Sequence, residues 1–159
     1  MGRARATYPR AHTLASQTRK VILLDTNVLS ELMRPKPADA VVAWVAATPA
    51  TSQYTTSITQ GEILHGILLL PPGRRRTSLL TAALAMFAED FAGRVLAFGG
   101  EAAMPYARIA AERRRLGRPI SHFDAQIAAI AQLHGASVAT RNIADFDACG
   151  VKVINPWAA

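Results

Sequence analysis

Val21-Ile22-Leu23-Leu24-Asp25-Thr26-Asn27 decides the architecture. Consecutive apolar residues without polar alternation match a short strand buried on both faces, not one with a wet side. The run stops at an acid. Thr26 to Leu32 then reads as a short helix, closed by the breakers Pro35 and Pro37. A doubly buried strand that hands over directly to a helix is how a parallel α/β sheet begins.

The rest of the chain repeats that alternation. Val41, Trp44 and Val45 give a second helix its apolar stripe. Tyr54 to Ile58 is strand-like, and Thr59 to Leu70 is helical up to the break at Pro71-Pro72-Gly73. Leu80, Leu84, Phe87 and Phe91 share one face of a long helix, followed by an apolar strand from Val95 to Phe98. Ala102, Tyr106, Ile109 and Ala110 predict a helix to about Leu116, stopped by Gly117 and Pro119. Ser121 opens a last helix that ends at Gly135, and Ser137 to Thr140 and Val151 to Ile154 are the final strands. Strands separated by helices need right-handed parallel crossovers, which predicts one three-layer α/β/α domain.

Composition agrees with a single globular unit. The chain has 159 residues, half of them apolar and 18% charged, enough to bury one core without staples. The single cysteine, Cys149, excludes an internal disulfide and lacks zinc-site spacing, which fits a reducing, cytoplasmic setting. No apolar run reaches the ~18 residues of a membrane span. The net charge of +7 is concentrated near the start: Arg3, Arg5, Arg10, Arg19 and Lys20 precede the first acid, and without them 13 basic residues face 11 acidic ones. Residues 1–20 therefore read as a basic, flexible extension, a nucleic-acid arm or a targeting segment, in that order of preference, and residues 21–156 as the domain.

In an open parallel sheet the functional crevice lies beyond the carboxyl ends of the strands. Asp25 follows the first strand; Glu62 is expected in the first turn of the helix after the second strand; Asp124 opens a helix; Asp145 lies just beyond the strand ending at Thr140. Each of the last three has a purely structural explanation. Thr59-x-x-Glu62 and Ser121-x-x-Asp124 match a helix capping box, and Asn142-x-x-Asp145 is a looser version. Capping does not explain why the same rim also carries Asp25. Several carboxylates can stay ionised together if a divalent cation neutralises them. An all-oxygen donor set favours Mg²⁺ or Mn²⁺ over zinc, and such an ion can activate water for attack on a phosphodiester.

With these residues in view, the sequence resembles the PIN-domain ribonucleases, and most closely the VapC-type toxins of toxin–antitoxin systems. The resemblance spans roughly Val21 to Pro156. It rests on Leu24-Asp-Thr-Asn-Val-Leu-Ser-Glu31, the helix bearing Gly61-Glu62, Ile120-Ser-His-Phe-Asp-Ala-Gln-Ile-Ala-Ala129 and Ala139-Thr-Arg-Asn-Ile-Ala-Asp-Phe146, in that order. It implies metal-binding aspartates at Asp25 and Asp124, further catalytic acids at Glu62 and Asp145, a hydroxyl beside the metal water at Thr140, and support of Asp25 by Asn27. It also implies a parallel sheet of order 3-2-1-4-5, a homodimer, RNA as substrate and a small cognate antitoxin that occupies the groove.

Arg141 and Asn142, inside the last motif, are candidates for supporting or RNA-contacting roles, as are Arg113 and Arg118 ahead of Asp124; solvated helix ends account for the arginine runs as well. His65, His122 and His134 lack mutual ligand spacing, and Trp44 and Trp157 read as packing residues. Leu24-Asp-Thr-Asn27 superficially matches an aspartate-nucleophile phosphatase. Asn27, however, stands where that chemistry needs a second acid. The same motifs would also serve a PIN nuclease of RNA maturation that has no antitoxin, or an inactive PIN module that only binds.

Overall fold

The computed structural model describes residues 19–159. The reading of residues 1–20 as a basic extension lies, apart from Arg19 and Lys20, outside them. The chain runs β1 (Ile22–Leu24), α1 (Thr26–Leu32), α2 (Asp39–Ala47), β2 (Gln53–Thr56), α3 (Ser57–Leu68), α4 (Arg74–Ala85), β3 (Val95–Leu96), α5 (Ala103–Arg115), α6 (His122–Leu133), β4 (Ser137–Ala139) and β5 (Val153–Ile154). The five strands form one sheet in the order β3-β2-β1-β4-β5, and every pairing is parallel.

β1 lies at the centre, and its pleat sorts its side chains between two cores. Leu23 joins Ile109 of α5 and Ala125, Ile127, Ala128 and Ile130 of α6 on one face. Ile22 and Leu24 join Val28, Val41, Ile63 and Ile67, from α1, α2 and α3, on the other. The unbroken apolar run is thus the signature of a strand covered by helices on both sides. Small residues, Ala125, Ala128, Ala129 and Ala131, let α6 lie close to the sheet.

Local chemistry moves several boundaries. Thr56 ends β2 and caps α3, its hydroxyl accepting from the Thr59 amide at 3.1 Å. The expected Thr59-x-x-Glu62 capping box is therefore not formed: Thr59 is buried inside the first turn, and Glu62 stands one turn further on. The long helix expected through Phe91 instead gives way to a wider π turn over Met86–Asp90, closed by Phe91 N–H to the Met86 carbonyl at 3.0 Å. The extra residue in that turn accompanies burial of both Phe87 and Phe91, whose rings pack 6.5 Å apart. Gly117 and Gly135 follow the ends of α5 and α6 with φ of 70° and 59°, where a Cβ would be strained. Among the described residues no helix is long and apolar enough to cross a membrane.

Candidate active site

Asp25 emerges from the end of β1 with its amide still donating to the Ala139 carbonyl of β4, 3.0 Å away. That last rung leaves its side chain in a nest of donors. The Thr26 amide reaches Oδ1 at 2.8 Å, while the Thr140 hydroxyl and Asn27 Nδ2 reach Oδ2 at 2.8 and 3.1 Å. Only 5% of the residue is exposed. Burial pushes the Asp25 carboxyl above its ordinary value; the Thr140 and Thr26 hydrogen bonds oppose this, and the charge of Asp124 adds to it.

Thr140, which the family resemblance sets near the metal's water, lies directly against Asp25. The residue is fully buried. Its hydroxyl proton goes to Asp25, and its oxygen accepts from Asn27 Nδ2 at 3.0 Å and from the Asn142 amide at 3.1 Å. Through these three bonds Thr140 ties the Asp25 carboxylate to Asn27 and to the chain after β4. Asn27 works in both directions, since its Oδ1 accepts the Arg141 amide at 3.0 Å. Asn142 enters this network through its backbone.

Glu62 projects from α3, half-buried, with Oε1 accepting the Thr26 hydroxyl at 2.9 Å. Thr26 thus touches both acids, through its amide to Asp25 and through its side chain to Glu62. Burial raises the Glu62 carboxyl, against the Thr26 hydrogen bond, with the charges of Asp25 and Asp124 adding to the rise. Asp124 reaches the same rim because α6 runs back against the sheet to deliver the chain to β4. Ser121 caps the helix by accepting the Asp124 amide at 3.1 Å and donates its own proton to Asp124 Oδ2 at 2.8 Å. Burial is again the leading cause of a raised carboxyl at Asp124, offset by Ser121 and reinforced by Asp145. Asp145 lies exposed in the 3-10 turn Ile143–Phe146.

The charge of Asp124 is thus felt at Asp25 and at Glu62, that of Asp25 at Glu62, and that of Asp145 at Asp124. Among the described residues, however, no three Asp, Glu, His or Cys side chains stand close enough to cage an ion by themselves. The donor chemistry fits a hard cation held by a pair of carboxylates that keeps several of its waters, as Mg²⁺ does. Carboxylates that burial and like charge both push toward protonation gain most from such a counter-charge.

Two arginines named as supporting or RNA-contacting candidates take definite places. Arg113 is 6% exposed. Its guanidinium donates to the carbonyls of Arg118, Asp145 and Asp147 at 2.7–2.8 Å, so it clips the 145–149 loop to α5 and has no face for a substrate. Arg118 is exposed but paired with the Asp147 carboxylate. Sequence reasoning also gave no role to Thr26 or Glu31. Glu31 is a buried acid whose carboxylate takes the Ala38 amide at 2.9 Å and Arg34 at 3.2 Å. The Ala38 amide is the main reason its carboxyl is held below the usual value. It braces the loop after α1.

The sequence pattern of the family described as PIN domain matches residues 22–150. A VapC ribonuclease of Sinorhizobium fredii, Y4jK, is 40% identical over 137 residues, which is 86% of this chain and 98% of that protein. The chain belongs to the PIN-domain family, among the VapC-type ribonuclease toxins. Toxin FitB of Neisseria gonorrhoeae is 39% identical to this PIN domain, over 86% of this chain and 99% of that one. The crystal structure of FitAcB from the same organism superposes with a TM-score of 0.82 at 39% identity, covering 87% of this chain and 100% of that chain. VapBC-5 of Mycobacterium tuberculosis, a member of the VapBC family of toxin–antitoxin systems, gives 0.61 at 26% identity, over 86% and 98% of the two chains. Nucleases of the PIN family are typically metal-dependent.

Proposed function

We propose that this PIN domain hydrolyses RNA phosphodiester bonds with Mg²⁺ or Mn²⁺, that Asp25 and Asp124 hold the ion, and that Glu62 and Asp145 complete the acidic rim. The observation that carries this reading is the Thr26 bridge. One residue fixes an oxygen of Asp25 and an oxygen of Glu62 and leaves Glu62 Oε2 without a protein donor among the described residues. The bound ion would acidify water and offset charge on the departing oxygen.

The chain's own groups supply positioning and the proton path. Thr140, Asn27 and the Thr26 amide hold Asp25 in one orientation, so its carboxylate meets an ion without reorganising. Glu62 Oε2 takes the proton of a water whose oxygen forms the new bond to phosphorus as the bond to the leaving ribose oxygen breaks; that oxygen is reprotonated from solvent. A carboxyl raised by burial is a better base for this than an ordinary one. Ser121 holds Asp124 at the mouth of the site, where α6's N-terminus favours negative charge.

The chain acts as the toxin of a pair, in the cytoplasm, restrained by a small antitoxin. A groove of about 780 Å³ between α1, α3 and α4 opens at Thr26 and Glu62 and is lined beyond them largely by apolar side chains such as Met33, Ile67, Leu70 and Leu79. A peptide lying there would cover the acids. Leu68 and Leu69, 48% and 71% exposed at the end of α3, support a homodimer.

The test is sequencing of cellular RNA 5′ ends after brief expression of the chain and of Asp25→Ala. Discrete new ends with the natural chain alone are expected. The same ends from Asp25→Ala, or none from either, would overturn the reading.

A further inference from the structure

Arg141 follows Thr140 directly, and its amide is tied to Asn27 Oδ1, so its backbone is fixed to the Asp25 network. Its side chain is exposed at the same rim. Its charge helps hold the Glu31 carboxyl low, yet among the described residues the guanidinium makes no hydrogen bond or ion pair within 4 Å. It lies instead over the indole of Trp157, 5.4 Å from the ring centroid. Trp157 is anchored independently. Its amide donates to Asn155 Oδ1 at 3.0 Å, Pro156 before it is buried, and the indole packs against the core on the α1–α4 side of the sheet.

A guanidinium held over an aromatic face by its charge needs no carboxylate partner, so N–H groups stay available to a ligand. Those groups match the paired oxygens of a phosphate. Held over the ring, the guanidinium forms no ion pair with Asp25, Glu62, Asp124 or Asp145, so it does not neutralise the rim. We propose that Trp157 is a positioning residue that holds Arg141 as a clamp for an RNA phosphate beside the acidic site. The clamp offsets the repulsion between an anionic backbone and the acidic rim, and Trp157 acts through Arg141, not by stacking on a base, because the arginine already covers its face. This rests on the reading of the chain as a ribonuclease.

The test is binding of a labelled single-stranded RNA oligonucleotide to the full chain in chelator, across a range of KCl, with cleavage in Mg²⁺ measured in parallel. Arg141→Gln should weaken binding about 3- to 10-fold and lower the slope of log K against log salt by about 0.7, one phosphate contact on a single strand. Trp157→Leu should reproduce much of both changes, Trp157→Phe should restore them, and Trp157→Leu added to Arg141→Gln should do nothing more. An unchanged slope in Arg141→Gln overturns the clamp. Equal losses from Trp157→Leu with and without Arg141 overturn the positioning role in favour of base stacking. A natural chain that binds no RNA overturns the clamp as well. If RNA binds with these slopes but is not cut in Mg²⁺, the ribonuclease reading fails while the clamp stands.

Discussion

The Thr140 hydroxyl donates to Asp25 Oδ2 at 2.8 Å across 115 positions of the chain. This bond joins the end of β4 to the end of β1, and with Asn27 it makes the orientation of the first aspartate a property of the sheet.

Thr140→Val should therefore damage both fold and chemistry. It removes a donor from Asp25 and the acceptor of Asn27 and Asn142, at a cost of about 1–3 kcal/mol. RNA cleavage should fall about 10- to 100-fold, as when a group that orients a ligand is lost. Thr140→Ser keeps the hydroxyl and should retain most of both. Urea denaturation and initial cleavage rates check this; wild-type cleavage by Thr140→Val would show that Asp25 needs no such support.

Asp124 separates capping from catalysis. Asp124→Asn keeps an acceptor for Ser121 but removes a charge, so cleavage in Mg²⁺ should drop on the order of 100-fold or more. Without metal its melting point should equal or exceed that of the natural chain. Full activity with a lowered melting point would reduce Asp124 to a helix-capping residue.

The pH dependence of that comparison has a definite sign. Asp25, Glu62 and Asp124 are raised in the fold, so their contribution to stability is full below the ordinary carboxylate range near about pH 4 and is lost as pH rises through the raised values. Glu31 and Asp147, held low, contribute above that range and lose it on acidification. The melting-point advantage of Asp124→Asn in chelator should therefore be smallest near pH 4 and grow by about 1–3 °C toward pH 7. Calorimetry in a pH series checks it, and an advantage that shrinks with rising pH would contradict the raised carboxyl.

Arg113→Met should act on stability and not on RNA. Loss of the guanidinium leaves the carbonyls of Arg118, Asp145 and Asp147 without that donor, at a cost of about 2–4 kcal/mol. The salt dependence of RNA binding should stay as in the natural chain, unlike that of Arg141→Gln. Denaturation curves and the binding series decide between the two behaviours.

Leu69→Asp places a charge on an exposed apolar face. In a monomer this would be nearly neutral; at a dimer interface it should split the assembly. Light scattering at tens of micromolar should report a dimer for the natural chain and a monomer for the variant.

The layered α/β fold, the doubly buried run of β1 ending at Asp25 and the start of α6 ahead of Asp124 were legible in the sequence, because burial on both faces and helix boundaries are written in local composition. Ser121 as the cap of α6 was legible for the same reason. What tertiary structure alone decided is which polar groups meet. Nothing near Arg113 in sequence says that carbonyls more than thirty positions away will bury it. Thr56 displaces Thr59 as the cap of α3 because β2 ends one residue before the helix begins, which moves Glu62 off the first turn and within reach of Thr26. Likewise Trp157 finds Arg141 only once β5 has paired with β4. Periodicity reports the face a residue turns toward the core; a hydrogen bond or a stacked cation depends on separations of a few ångströms that only the assembled sheet and its crossovers set.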